Sequence, residues 1–122
     1  AISRFPAAAV LRGDQSHVAD CVAELEARRD VILDALEDWP VVRPGGGWSI
    51  LLDVASLGLD PHEASRALLE ESSIAATAMV GWGGPVAERY VRFVFSAEPV
   101  ERLETIPERV ADATIARAAA AR

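Results

Sequence analysis

The order in which helical and strand-like segments follow one another constrains the fold of this chain most strongly. Across residues 14–38, apolar residues recur at spacings of three, four and seven, as in an amphipathic helix. The later segments are a strand at 48–54, a helix at 60–72, strands at 74–79 and 90–95, and a helical region from Pro99 that Pro107 interrupts. Asp60 is expected to cap the helix at 60–72, with Pro61 in its first turn. This order predicts an α+β (split α/β) fold, in which helices cover a small open sheet of about three to four strands. Because segment 48–54 is continuously apolar, we expect both of its faces to be buried.

The charge balance argues against a nucleic-acid partner. Twelve basic and 19 acidic residues give a net charge of −7, which repels a phosphate backbone. No window approaches the roughly 20 apolar residues that span a bilayer, and residues 1–14 lack a basic stretch followed by a long apolar one. We therefore expect a soluble, cytoplasmic protein without nucleic-acid or membrane partners.

The absence of lysine limits the chemistry that this chain can perform. All 12 basic residues are arginines, so Schiff-base chemistry, or a P-loop lysine contact to phosphate, would need a residue from elsewhere. Cys21 is the only cysteine, which excludes an internal disulfide and a thiolate-rich metal site, and we expect it to pack in the core. His17 and His62 lie near helix starts without a second ligand at metal spacing, so no metal site is predicted.

Two glycine-rich segments invite a ligand-binding interpretation. Glycines 45–47 could suggest a phosphate loop, but a strand follows them and the lysine is missing, so a tight turn fits better. Trp48 and Trp82 each lie beside glycines, which would let a large ring cover backbone or a ligand. Core packing is the favoured interpretation of both tryptophans, with ligand contact as the alternative.

Segment 90–95 is an apolar strand that carries one permanent cation. Side chains alternate across a strand, so Val91, Phe93 and Phe95 share one face and Arg92 lies on the other. Arg92 could reach a sheet edge and meet water or a helix carboxylate. Alternatively, its planar fork could bind a carboxylate through two parallel hydrogen bonds. The strand alone leaves both interpretations open.

Taken together, six ordered segments resemble the C-terminal part of class I/II aminotransferases, which are pyridoxal-phosphate enzymes of fold type I. The segments are "EARRDVILDAL", "RPGGGWSILLDV", "DPHEASRALLEES", "SIAATAM", "VGWGG" and "RYVRFVFS". The resemblance extends from about residue 14 to residue 113. It departs from the family at Ala78 and Met79, where those enzymes usually have Pro-Gly.

This resemblance implies a role for Arg92 and a division of labour between domains. In the family, the arginine of the matching strand binds the α-carboxylate of the substrate, and Arg92 occupies that position. Independently of the family, the place of Trp48 beside glycines makes it a second candidate for substrate contact. The cofactor lysine, the aspartate at the pyridine nitrogen and the phosphate-binding groups belong to a large domain that precedes this region. The resemblance therefore implies no catalytic or cofactor-binding residue in this chain, although the complete enzyme would use pyridoxal 5'-phosphate.

The sequence thus predicts a single domain over 1–122, the small C-terminal domain of an aminotransferase. Residues 1–13 would be a lead-in from the missing large domain, and residues 116–122 a frayed tail. The complete enzyme would be a homodimer that transfers an amino group between an amino acid and a 2-oxo acid, whereas this chain alone would be inactive. The alternative is a stand-alone α+β module that binds a carboxylate or another protein.

Overall fold

The computed structural model describes residues 4–121, with side chains from Pro6 onward, and follows the predicted order of elements. Its helices are α1 (Arg4–Arg12), α2 (Ser16–Ala35), α3 (Pro61–Ser72), α4 (Val100–Leu103), α5 (Ile106–Val110) and α6 (Thr114–Ala120). Its strands are β1 (Val41–Val42), β2 (Ser49–Asp53), β3 (Thr77–Ala78) and β4 (Tyr90–Val94). Helix α1 lies in the range expected as a lead-in, and α6 is helical as far as Ala120 in the range expected to fray.

The four strands form one antiparallel sheet in the order β1-β2-β4-β3. The α+β prediction of a small open sheet covered by helices is therefore confirmed. Strand β1 is too short to produce a periodic pattern, which explains why the sequence did not predict it. Strand β3 is shorter than predicted because Ile74 closes α3 instead, its backbone N–H donating to the Leu68 carbonyl at 2.9 Å.

The core lies between one face of the sheet and the helices. Along β4, Val91 and Phe93 are buried and Arg92 is not, which confirms the predicted alternation. Along β2, Ile50 and Leu52 are buried but their neighbours are only half-buried. The prediction that both faces of β2 are buried is therefore wrong, because helices of the described chain cover only one side of the sheet.

Helix α2 is buried only in its C-terminal half. Ile32 and Leu33 join the core, as does Leu36 directly after the helix, whereas Val18 is 45% exposed and Val22 is 49% exposed. The predicted apolar stripe is thus present, but its first half has no cover within residues 4–121. Cys21, expected in the core, is also exposed.

The start of α3 matches the sequence prediction. Asp60 Oδ1 accepts hydrogen bonds from the backbone N–H groups of His62 and Glu63, at 2.9 and 3.1 Å, and Pro61 begins the helix. These bonds satisfy donors that have no partner within the helix. The predicted break near Pro107 is also present, because α4 ends at Leu103 and α5 begins at Ile106.

Helix α6 is joined to α3 by a carboxylate whose contribution depends on pH. Glu71 accepts hydrogen bonds from the Thr114 backbone N–H at 2.6 Å and from the Thr114 hydroxyl at 2.8 Å. These bonds lower the pKa of Glu71 below its ordinary value of 4.5. Because the folded pKa is the lower one, the stabilisation is complete above about pH 4.5 and is lost as the pH falls through the folded pKa.

We therefore expect Glu71→Gln to lower the melting temperature at neutral pH. The difference from the unsubstituted chain should shrink as the pH falls below about 4.5, because the carboxylate then becomes neutral as well. Thermal unfolding of both proteins across that range is the measurement. A difference that stayed constant down to strongly acid pH would show that the Glu71 charge does not hold α6.

Candidate functional site

Arg92 lies in the middle of the sheet on the side that the helices do not cover. Strand β4 pairs on both sides, so that Arg92 lies opposite Leu51 of β2 and Thr77 of β3. Because paired residues share a face, as do alternate residues of one strand, the direct neighbours of Arg92 on this side are apolar or small, and the Asp53–Tyr90 pair lies at one end of it. We call this side the open face and define it as Val42, Ser49, Leu51, Asp53, Thr77, Tyr90, Arg92 and Val94.

The guanidinium of Arg92 has an aromatic contact but no counter-ion in the part of the chain that the structure describes. Its Cζ lies over the Trp82 ring, 4.6 Å from the ring centroid. Its Nε is buried and has no hydrogen-bond partner, and the ion pairs among residues 4–121 do not include Arg92. Of the two interpretations, the structure therefore does not support an arginine neutralised by a carboxylate within residues 4–121.

A glycine-rich loop places Trp82 over the sheet. Gly81 and Gly84 have φ angles of +81° and +73°, a backbone conformation that residues other than glycine rarely adopt. The Trp82 backbone N–H donates to the Met79 carbonyl at 3.1 Å, while the Met79 N–H continues the sheet by donating to Tyr90 at 3.0 Å. The loop thus leaves β3 and returns over Arg92 before the chain enters β4.

A second arginine near the open face is already paired. Arg89 Nη2 lies 2.6 Å from Asp53 Oδ2, and this contact raises the pKa of Arg89 above its ordinary value. Asp53 also accepts a hydrogen bond from the Ser56 backbone N–H at 3.0 Å, which fixes its carboxylate. The charge of Arg89 is therefore paired with Asp53, whereas the charge of Arg92 is available for an anion.

The remaining candidates have less support from the geometry. Trp48 is 59% exposed and precedes the Ser49–Val94 pair, whereas Arg92 pairs with Leu51. Trp48 and Trp82 are both exposed, so the favoured interpretation of core packing is wrong for each.

Gly47 has a φ of +89°, in agreement with a turn. His17 and His62 are exposed, and residues 4–121 contain no cluster of side chains able to hold a metal.

The contact between Trp82 and Arg92 was not predicted from the sequence. The one indication in the sequence was a tryptophan among glycines, a few residues before a strand with a cation in its middle. Because core packing was the favoured interpretation of Trp82, this indication was not used.

Comparisons with known proteins support an aminotransferase-like domain. No model of a known protein family matches the chain. Over 97 residues, the chain is 32% identical to a probable aspartate aminotransferase of Methanocaldococcus jannaschii, a match that covers 79% of this chain and 25% of the relative. Solved structures of aminotransferases also match, and two of them illustrate the similarity.

The N-succinyldiaminopimelate aminotransferase of Mycobacterium tuberculosis matches with a TM-score of 0.72 and 30% identity, over 86% of this chain and 29% of that one. The aromatic aminotransferase of Pyrococcus horikoshii matches with a TM-score of 0.64 and 28% identity, over 71% and 23%. The resemblance to the aminotransferases is thus confirmed in sequence and in fold. The chain spans about a quarter of the length of these relatives.

None of the helices within residues 4–121 is both long enough and apolar enough to cross a membrane.

Proposed function

We propose that this chain is the C-terminal substrate-binding and lid domain of a pyridoxal-phosphate-dependent aminotransferase. In this proposal, Arg92 binds the α-carboxylate of the amino acid and of the 2-oxo acid. The observation that carries the proposal is a permanent cation in the middle of the open face that has no counter-ion within residues 4–121, with Leu51 and Thr77 as its direct cross-strand neighbours. The sequence and fold similarity to aminotransferases supports it.

The chemistry of the guanidinium suits this role. Arginine stays charged at any physiological pH and offers a planar set of N–H donors that match both oxygens of a carboxylate. The cross-strand neighbours Leu51 and Thr77 carry no charge that would compete with a substrate for the guanidinium. A site closed over the open face would exclude water, and the low dielectric would strengthen the ion pair. Because amino acids and 2-oxo acids both carry this carboxylate, one residue can bind the donor and the acceptor in turn.

The residues present do not fit covalent binding of the cofactor. Pyridoxal phosphate is held by a lysine amine in enzymes of this type, and this chain contains no lysine. We therefore assign the cofactor to the complete enzyme and derive no step of the reaction from this chain beyond substrate binding.

A large cofactor-binding domain is the partner that we propose for this chain. The relatives are about four times as long as the segment that they share with it. The exposed valines Val18 and Val22 on α2 give such a domain an apolar surface to pack against. A homodimer of the complete enzyme and a cytoplasmic location remain predictions.

The first test compares this chain with the longer polypeptide that contains it. The isolated 122-residue chain, incubated with pyridoxal phosphate, should show no transamination and no cofactor fixed at a defined site by borohydride, because it has no lysine. The longer polypeptide should show both. Stoichiometric fixation of the cofactor at one site of the isolated chain would contradict the proposed division of labour.

A stand-alone carboxylate-binding module remains the second candidate, because Arg92 would serve it equally well. Such a module would bind a simple carboxylate such as butanoate without any further domain. Titration of the isolated chain with butanoate, followed by NMR of the Arg92 side chain, separates the two. Binding as tight in the isolated chain as in the longer polypeptide would favour the module.

A further inference from the structure

We propose that Trp82 is a positioning residue for substrate binding, which holds the Arg92 guanidinium through a cation–π contact and leaves its N–H donors to a carboxylate. This inference deepens the proposed function and rests on the assignment of Arg92 to the substrate carboxylate. It adds a second residue to the site and predicts how that residue affects the kinetics.

A guanidinium can bind an aromatic ring and a carboxylate at the same time. An aromatic ring attracts the cation through the electron-rich face of the ring. A carboxylate binds the N–H donors, which lie in the plane of the guanidinium. The Arg92 Cζ lies over the Trp82 ring, 4.6 Å from the ring centroid. Because the ring attracts the charge without supplying an oxygen acceptor, the place of a carboxylate is left open.

The Arg92 side chain has no ion-pair partner within the described residues that could orient it. Its Nε is buried without an acceptor, and Arg92 takes part in none of the ion pairs within residues 4–121. The long side chain would otherwise sample several rotamers, and ordering it on substrate binding would cost affinity. Contact with Trp82 is thus the interaction that restricts the guanidinium before a substrate arrives.

Trp82 is itself held in place by the loop that carries it. Gly81 and Gly84, with their positive φ angles, bend the loop, and the hydrogen bond from Trp82 to Met79 fixes its backbone next to the sheet. The ring is 60% exposed, so burial in the core does not account for its position. Its contact with Arg92 is a structural reason for placing a large aromatic residue in this loop.

The experiment compares Trp82→Leu and Trp82→Phe in the complete enzyme, with Val86→Ala as a control. Val86 is an exposed residue after the same loop. Trp82→Leu should raise KM for the amino acid and for the 2-oxo acid alike by about tenfold, the expected loss for a partly desolvated cation–π contact. The change in kcat should be smaller. Trp82→Phe should recover most of the loss because it keeps a ring, and Val86→Ala should change little.

A binding readout completes the test, with butanoate as an unreactive carboxylate probe. Its dissociation constant should rise with Trp82→Leu and return towards the original value with Trp82→Phe. In an Arg92→Leu background, Trp82→Leu should have no further effect, because the group that it positions is gone.

The outcomes separate this inference from the proposed function. If Arg92→Leu left substrate and butanoate binding intact, the proposed function itself would fail. If Arg92→Leu weakened both while Trp82→Leu changed neither, only the role of Trp82 would be wrong. A Trp82→Leu enzyme with a lower melting temperature but unchanged KM and butanoate affinity would show a purely structural residue and would also overturn the inference.

Discussion

Under the proposed function, replacement of Arg92 by leucine is expected to lower kcat/KM of the complete enzyme by about 10²-fold or more for every amino-acid and 2-oxo-acid substrate. The substitution removes both hydrogen bonds and the charge, and leaves the substrate carboxylate without a counter-ion in a partly desolvated site. Such a loss is worth about 2–5 kcal/mol. The effect should be uniform because all of these substrates carry the α-carboxylate.

Two further variants identify the origin of the loss. Arg92→Lys keeps the charge but not the planar fork, so it should recover only part of the activity. Arg66→Leu is the matched control, because Arg66 is an exposed arginine on α3, which packs on the opposite side of the sheet. The absorbance of the bound cofactor should hardly change in any of the three. Near-normal kcat/KM for Arg92→Leu, or loss of cofactor from a folded variant, would contradict the assignment.

Self-association of the isolated 122-residue chain is the second large effect that we expect. The chain should sediment as dimers or larger species at high concentration, because the apolar surface of α2 at Val18 and Val22 has no cover within the described residues. The double substitution Val18→Glu and Val22→Glu should shift the chain towards the monomer, since it places two charges on that surface. Sedimentation velocity over a range of concentrations is the measurement.

A control separates this surface from exposed apolar residues in general. Leu69 on α3 is 56% exposed, similar to the two valines, but lies on a different helix. Leu69→Ser should therefore leave the association unchanged. A strictly monomeric parent chain at high concentration would argue against the proposed large-domain contact at α2.

Several features of the fold followed directly from local sequence patterns. The period of α2, the capping residues of α3 and the alternation within β4 each depend on neighbours a few positions apart. For this reason two features were predicted correctly. Helix α3 starts at Pro61, and Arg92 lies on the other face of β4 from Val91 and Phe93. The break near Pro107 also has a local cause, because proline cannot continue the preceding helical hydrogen bonds.

The errors have a common physical origin. An apolar residue in a periodic pattern marks a surface that needs cover, but the pattern does not say whether the same chain supplies it. Leu51, Val18 and Val22 fit such patterns and yet remain partly exposed, because the described helices cover only one face of the sheet and half of α2. The same reasoning explains why Cys21 and both tryptophans beside glycines were wrongly expected in the core.

The sequence by itself determined that Arg92 is a cation on the less apolar face of a strand, because side-chain alternation is a local property of the backbone. Only the tertiary structure decided that this face stays open, that Arg92 lies in the middle of the sheet, and that its guanidinium lies over the Trp82 ring. Strand order, pairing register and the path of the loop bring together residues from separate segments, so the contacts that make Arg92 a candidate binding residue depend on the fold as a whole.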